Sequence, residues 1–267
     1  MEIDEKKCVG CGNCVPYCTM GVISVENRCA EITQEECVEC HTCYRVMRSE
    51  NLNPTLVRLM RRVLALFRLT YQPELDVCPT GALVPPELEW PRAVRRAFSD
   101  PTFKHESTGM GGRGTEEIKT NDVTGRLKDG DVGFVVELGR PGIGAQFRDI
   151  QKVSTALAPL GIVFESKNPV TALMTDVKTG KINEEVLEEK VLSAIIEFRT
   201  TMGRVPEVLG RIREVESEIN TVCSVGIASK CGPDGFVAHL KVMEETGFSL
   251  SPNGKINLGL GRPRFEG

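Results

Sequence analysis

Cys8, Cys11 and Cys14 stand at every third residue, and Cys18 follows after three more. Cys37, Cys40 and Cys43 repeat the spacing, with Cys78 far downstream in "DVCPTGAL". A cubane iron–sulfur core needs four thiolates converging on one compact inorganic body. A loop with a thiolate at every third residue wraps three corners, and a remote cysteine supplies the fourth. Tetrahedral zinc also takes C-x2-C pairs, but a third cysteine two residues further on, in both runs, is not zinc-ribbon spacing. Disulfides are the other alternative, because eight of the eleven cysteines fall in the first 43 residues. Against them, the chain has 267 residues and its acidic start, "MEIDEKKC", carries no apolar signal core. The expectation is metal binding in a reducing, cytoplasmic compartment.

The two runs resemble the bacterial two-cluster ferredoxin over residues 1–86. In that family the fourth cysteine of each run ligates the other cluster. The resemblance therefore implies two 4Fe–4S clusters, one on Cys8, Cys11, Cys14 and Cys78, the other on Cys37, Cys40, Cys43 and Cys18. Gly10, Gly12 and Gly21 suit loops that pass close to inorganic sulfide. There are two departures. Thr19 follows Cys18 where the family usually has proline, which is expected to weaken the local turn. And 34 residues, 44–77, separate Cys43 from Cys78 where a minimal ferredoxin has a few.

That insertion carries a helix signal. Asn53-Pro54 starts it, and Leu56, Leu59, Met60, Val63 and Phe67 follow at helical spacing. The plainer reading is an amphipathic helix covering the ferredoxin core with a solvated arginine face. The sharper one makes Arg58, Arg61 and Arg62 a basic docking surface for an acidic partner protein. No aromatic residues interleave these arginines, which argues against nucleic acid. Residues 87–130 read as a linker or partner-binding arm, with a short helix around Arg92 to Phe98 and a pliable glycine-rich stretch, "STGMGGRGTEE".

From residue 131 to 267 strands and helices alternate. "DVGFVVEL", "GIVFES", "VLSAIIEFR" and "TVCSVGIAS" read as strands. "FRDIQKVSTALAPL", "VPEVLGRIREVESEI" and "DGFVAHLKVMEETG" read as helices. "TALMTDVKTGKI" reads as a strand running into a turn, "EEVLEEK" as a short helix and "GKINLGL" as a closing strand or extended tail. The expected class is α+β: a dicluster ferredoxin domain with a helical insertion, then a ferredoxin-like sandwich of two strand–helix–strand units. "GRPGIG" lacks the G-x-G-x-x-G spacing of a dinucleotide-binding turn. The order strand, Arg140-Pro141-Gly142, helix, strand instead resembles the small-molecule-sensing ACT domain, which implies an amino-acid site or a protein interface at that turn.

No nucleophile–base pair is visible, and no run is long and apolar enough to span a bilayer. The net charge of −4 gives no general pull toward nucleic acid or anionic lipid. Cys29, Cys223 and Cys231 read as ordinary thiols, and His41, His105 and His239 as structural or solvent-exposed groups. The expected function is low-potential electron transfer, as a subunit of an anaerobic hetero-oligomeric oxidoreductase. Its partners would be catalytic subunits and a soluble redox carrier. The alternative is a redox-linked regulator with an ACT-like sensing domain.

Overall fold

Very short strands frame the cysteine runs. In the computed structural model, which describes residues 1–106, 109, 111–112, 125–232 and 234–249, β1 (Glu2–Ile3) pairs with β6 (Leu83–Val84). β2 (Ile23–Glu26) and β3 (Cys29–Ile32) form a hairpin turned by Asn27 and Arg28, both at positive φ, as a two-residue hairpin loop requires. α1 (Thr42–Val46) carries the end of the second cysteine run. β4 (Arg48–Ser49) pairs in parallel with β5 (Val77–Cys78), so the two ends of the insertion meet. Between them lies α2 (Pro54–Leu66), capped by Asn53, whose side chain accepts from the amides of Thr55 and Leu56.

α3 (Ala93–Ser99) leads toward the second unit. There β7 (Asp131–Leu138) pairs along its whole length with β13 (Ala194–Thr201). β8 (Ala145–Gln146) precedes α4 (Phe147–Leu157), and β9 (Val163–Phe164) forms the far edge of the sheet against β13. α5 (Pro169–Ala172), then β10 (Met174–Asp176) and β11 (Lys181–Ile182), make a small excursion. β12 (Lys190–Val191) pairs with β8. α6 (Val205–Glu216), β14 (Cys223–Ser229) and α7 (Ala238–Glu245) complete the described chain. The antiparallel sheet runs β14-β7-β13-β9. The fold is α+β.

One face of the sheet presents Val132, Phe134, Val136, Leu138, Ala194, Ile196 and Phe198 to a single apolar core. α4 contributes Phe147, Ile150, Val153 and Leu157, and α6 contributes Val208, Leu209, Ile212 and Val215, each at helical spacing. Phe134 and Phe198 face each other across neighbouring strands with ring centroids 5.2 Å apart. Val94 and Phe98 of α3 join this same core, and Phe98 meets Phe147 edge-on at 5.2 Å.

The structure departs from the sequence reading in short elements. Asn168 and Pro169 start a short helix that takes in Thr171 and Ala172, the first two residues of an expected strand, because the Asn168 side chain accepts from the Val170 amide at 2.8 Å; the strand itself begins at Met174. "EEVLEEK" supplies a single 3-10 turn before β12 rather than a helix. "GKINLGL" and most of "STGMGGRGTEE" lie outside the described residues. Among the described residues, no helix is long and apolar enough to cross a membrane.

Asn168 is fully buried, and besides capping α5 it donates to the Glu197 carboxylate at 2.9 Å in the middle of β13. Asn168→Ala removes a cap and one partner of a buried charge together. It should cost about 2–4 kcal/mol, measured by denaturant unfolding of the full chain.

Candidate metal centre

Two cavities lie within the N-terminal unit, each with four cysteines in its wall. The first, of about 350 Å³, is lined by Cys8, Cys11, Cys14 and Cys78, together with Ile3, Ala30, Met47 and Leu83. The second, of about 330 Å³, is lined by Cys37, Cys40, Cys43 and Cys18, with Ile23 and Ile32. Each run thus sends its last cysteine to the cavity of the other. Among the described residues no group of three or more Cys, His, Asp or Glu is close enough to hold one metal ion. A single Zn²⁺ would draw its sulfurs to about 2.3 Å from one point. Four sulfurs standing around a cavity instead fit a group with several metal atoms.

Local geometry repeats around the two crossing cysteines. The Val22 amide donates to Cys18 Sγ at 3.4 Å, and the Ala82 amide donates to Cys78 Sγ at 3.3 Å. Gly21 and Gly81, each three residues after its cysteine, have φ of 66° and 63°. The turn expected to suffer from Thr19 in place of proline has the same form as the one containing Pro79. Thr19 adds a contact of its own, its hydroxyl lying 3.1 Å from Cys40 Sγ. In the first cavity the Ala30 amide donates to Cys8 Sγ at 3.2 Å. Cys78 reaches its place because the insertion is closed on itself. β4 pairs with β5, Arg48 binds Asp76 at 3.0 Å, and the Asn13 side chain donates to the carbonyls of Glu74 and Val77 at 2.6 and 3.1 Å.

Residues 1–24, which contain Cys8, Cys11, Cys14 and Cys18, match the family model described as the 4Fe-4S binding domain. The N-terminal unit is a ferredoxin-type iron–sulfur domain. Its general chemistry is iron–sulfur electron transfer. No curated protein and no solved structure matches the chain.

The sulfurs of this iron–sulfur domain are crowded and poorly solvated. Burial, then the neighbouring Cys11, Cys8 and Cys43 thiolates, push the Cys14 thiol up to about 12. Burial, then Cys40, Cys18 and Cys37, does the same to Cys43, also up to about 12. Burial likewise raises Cys11 and Cys37. Such sulfurs are stable as thiolates only where concentrated positive charge faces them, which iron provides.

The loops that carry them are held by arginines. Arg58 donates to the carbonyls of Glu5, Lys6 and Cys8 at 2.9, 2.7 and 2.8 Å, and Arg61 to that of Gly10 at 3.2 Å. The solvated arginine face expected of α2 is therefore turned inward at these two positions, while Arg62 is exposed. The apolar side turns outward instead. Of α2 only Val57 is buried, and Leu66 and Phe67 are 82% and 71% exposed. On the second loop Arg95 donates to the carbonyls of Gln34, Glu35 and Cys37 at 3.1, 2.8 and 2.9 Å. Arg92 binds Glu39, which also receives the Met1 amino group and lies 3.5 Å from His41 Nε2. Burial alone would raise the Glu39 carboxyl, but His41, the Met1 amino group and Arg92 outweigh it and bring it down to about 2.

Sequence reasoning passed over Asn13, Glu39, Arg92 and Arg95, because a bond to a backbone carbonyl leaves no mark in residue spacing. The turn at Arg140, Pro141 and Gly142 is exposed and lies beside Thr19 and Met20, which follow Cys18 and line the second cavity. A Cβ on Gly142 would come 3.6 Å from the Thr19 carbonyl, and one on Gly144 would come 3.0 Å from the Met20 side chain. Cys29 is partly buried beside Cys8 and lines neither cavity. Cys223 is partly buried and Cys231 exposed, both as free thiols. His105 and His239 lie away from the cavities, His105 against the Gly112 carbonyl and His239 at 2.8 Å from the Ser229 hydroxyl.

Gly10 and Gly21 separate two costs of a side chain in the cysteine loops. Both have positive φ, but a Cβ on Gly21 meets nothing within 4 Å, whereas one on Gly10 would sit 2.4 Å from the Arg28 carbonyl oxygen. Gly21→Ala should cost about 1–2 kcal/mol. Gly10→Ala should cost well beyond that and release the β2–β3 hairpin. Unfolding curves and amide exchange across residues 8–32 check both.

Proposed function

We propose that the chain is an electron-transfer subunit of an oxidoreductase complex, holding two 4Fe–4S clusters. Cys8, Cys11, Cys14 and Cys78 would hold one, and Cys37, Cys40, Cys43 and Cys18 the other. The observation that carries this reading is the exchange of Cys18 and Cys78 between two four-cysteine cavities. When bound, each cluster takes up and releases one electron at a time. The protein supplies the rest. Apolar side chains keep water from the cavities, amides and the Thr19 hydroxyl face the sulfurs, and arginines fix the loops.

A free carrier has no use for a second unit of this size. The order β14-β7-β13-β9, with α4 after β7 and α6 after β13, supports reading that unit as a ferredoxin-like sandwich of the ACT type. Its role here is attachment within the complex. The partner surface is the outward face of α2, where Leu59, Val63, Leu66 and Phe67 are exposed. Between Asn51 and Pro73 the sequence holds no carboxylate, and of its arginines Arg62 and Arg68 are exposed, Arg58 and Arg61 being engaged with the first cysteine loop. That face suits a catalytic subunit with an apolar groove carrying Asp or Glu at its rim. An anaerobic, cytoplasmic setting and exchange with a soluble redox carrier belong to the same reading. A second reading, sensing of a free amino acid at Arg140 to Gly142, is favoured by the exposure of that turn. Thermal stabilisation by an amino acid, without a redox partner, would support it.

The protein purified without oxygen should carry about eight irons, and Cys78→Ala about four, with one cluster's EPR signal lost. Zinc, or about four irons in the unaltered chain, would sink the assignment. The double variant Leu66→Glu, Phe67→Glu should keep its iron and its melting temperature. In its native host it should cease to copurify with the flavin, molybdenum, tungsten or thiamine enzyme that accompanies the unaltered chain. Unchanged copurification would remove α2 from the interface.

A further inference from the structure

α3 has two occupations. Val94 and Phe98 lie in the core of the C-terminal unit, and the Ser99 hydroxyl accepts from the Leu192 amide at 2.9 Å. On its other side Arg95, with its side chain 7% exposed, gathers the carbonyls of Gln34, Glu35 and Cys37. The same guanidinium is ion-paired with Glu189. Glu189 precedes β12, the strand paired with β8, and its carbonyl accepts from the Phe147 amide at the head of α4. A second tie runs alongside, as Lys190 pairs with Glu36. The backbone of Cys37 is thus joined through one side chain to the first helix and the β8–β12 pair of the other unit.

We infer that Arg95 is a positioning residue for the second cluster, and that the C-terminal unit sets that cluster's reduction potential through Glu189. The inference rests on the two-cluster electron-transfer reading. Reduction adds negative charge to a cluster, so a cation held against the Cys37 backbone favours the reduced form. A carboxylate paired with that cation offsets it. The two groups act on one cluster with opposite sign. A shift of the β8–β12 pair that loosens the Arg95–Glu189 contact changes the field at the second cavity and leaves the first, on its own arginines, unaffected.

Redox titration followed by EPR, on the full chain carrying both clusters, tests this. Arg95→Gln should move one of the two reduction steps to more negative potential. Glu189→Gln should move the same step to less negative potential. Arg95→Lys, which keeps the charge, should fall between the unaltered chain and Arg95→Gln, and the other step should stay in place throughout. Amide exchange across residues 34–43 should quicken in Arg95→Gln, a readout independent of electron transfer. Equal movement of both steps, movement in one direction in both Gln variants, or no movement would overturn the inference. Where Arg95→Gln does not assemble, the sign in Glu189→Gln decides alone. About eight irons with unmoved potentials sinks this inference only; about four irons in the unaltered chain sinks the reading beneath it as well.

Discussion

Cysteine sulfurs brought to face one small space repel each other as thiolates, and burial sharpens that repulsion. The loops bearing them must also turn so tightly that several carbonyls point away from any regular ladder. A hydrophobic core does not correct either problem, and the one available to the N-terminal unit is small, with Met1, Ile23, Ala30, Ala82 and Leu83 as its apolar members beside the cysteines. What holds the loops is the planar guanidinium, which offers five donors and gathers divergent carbonyls at one point. For the first loop Arg58 does this with three carbonyls and Arg61 adds a bond to one; for the second Arg95 does it with three and Arg92 adds a bond to one. Each pair comes from a helix that a minimal two-run ferredoxin would not need: α2 inside the insertion, and α3 beyond Cys78.

The two helices use one device toward different ends. α2 spends Arg58 and Arg61 on the first loop and leaves its apolar side in water. α3 spends Arg92 and Arg95 on the second loop and buries Val94 and Phe98 in the other unit. An apolar helix side in water costs free energy unless something covers it, whereas α3 meets no such cost. One cysteine loop is therefore tied to the rest of the chain, and the other adjoins a surface left open.

The cysteine pattern was legible because thiol chemistry fixes residue type and spacing together. Runs at every third residue, with a remote cysteine, survive any insertion whose ends can be brought back, as β4 and β5 bring them back here. The long elements were legible for a similar reason: β7 is a continuous apolar run, and α4, α6 and α7 are long enough for a helical period to show. Two-residue strands such as β8 and β12 have no period, and α5 hid because its cap, Asn168, also serves the buried Glu197. The orientation of α2 was misread by a sound rule. Apolar residues normally face inward, but here the inward face meets carbonyls, which arginine satisfies and leucine does not. At Thr19 the turn keeps the form of the one containing Pro79, with the same amide-to-sulfur bond and a glycine two residues on.

The clamps also differ in the charge that accompanies them. Among the described residues neither Arg58 nor Arg61 has a carboxylate at ion-pair distance, whereas Arg92 is paired with Glu39 and Arg95 with Glu189. Glu36 and Asp100 add further carboxylates around the second loop, Glu36 paired with Lys190 and Asp100 with both Arg45 and Arg96. Around this loop the carboxylates are outnumbered by cations, since Glu39 likewise takes both Arg92 and the Met1 amino group. Its arginines are therefore held in a charged network, whereas Arg58 and Arg61 on the first loop meet backbone carbonyls alone. A guanidinium fixed on both sides gives a loop less freedom than one fixed on a single side.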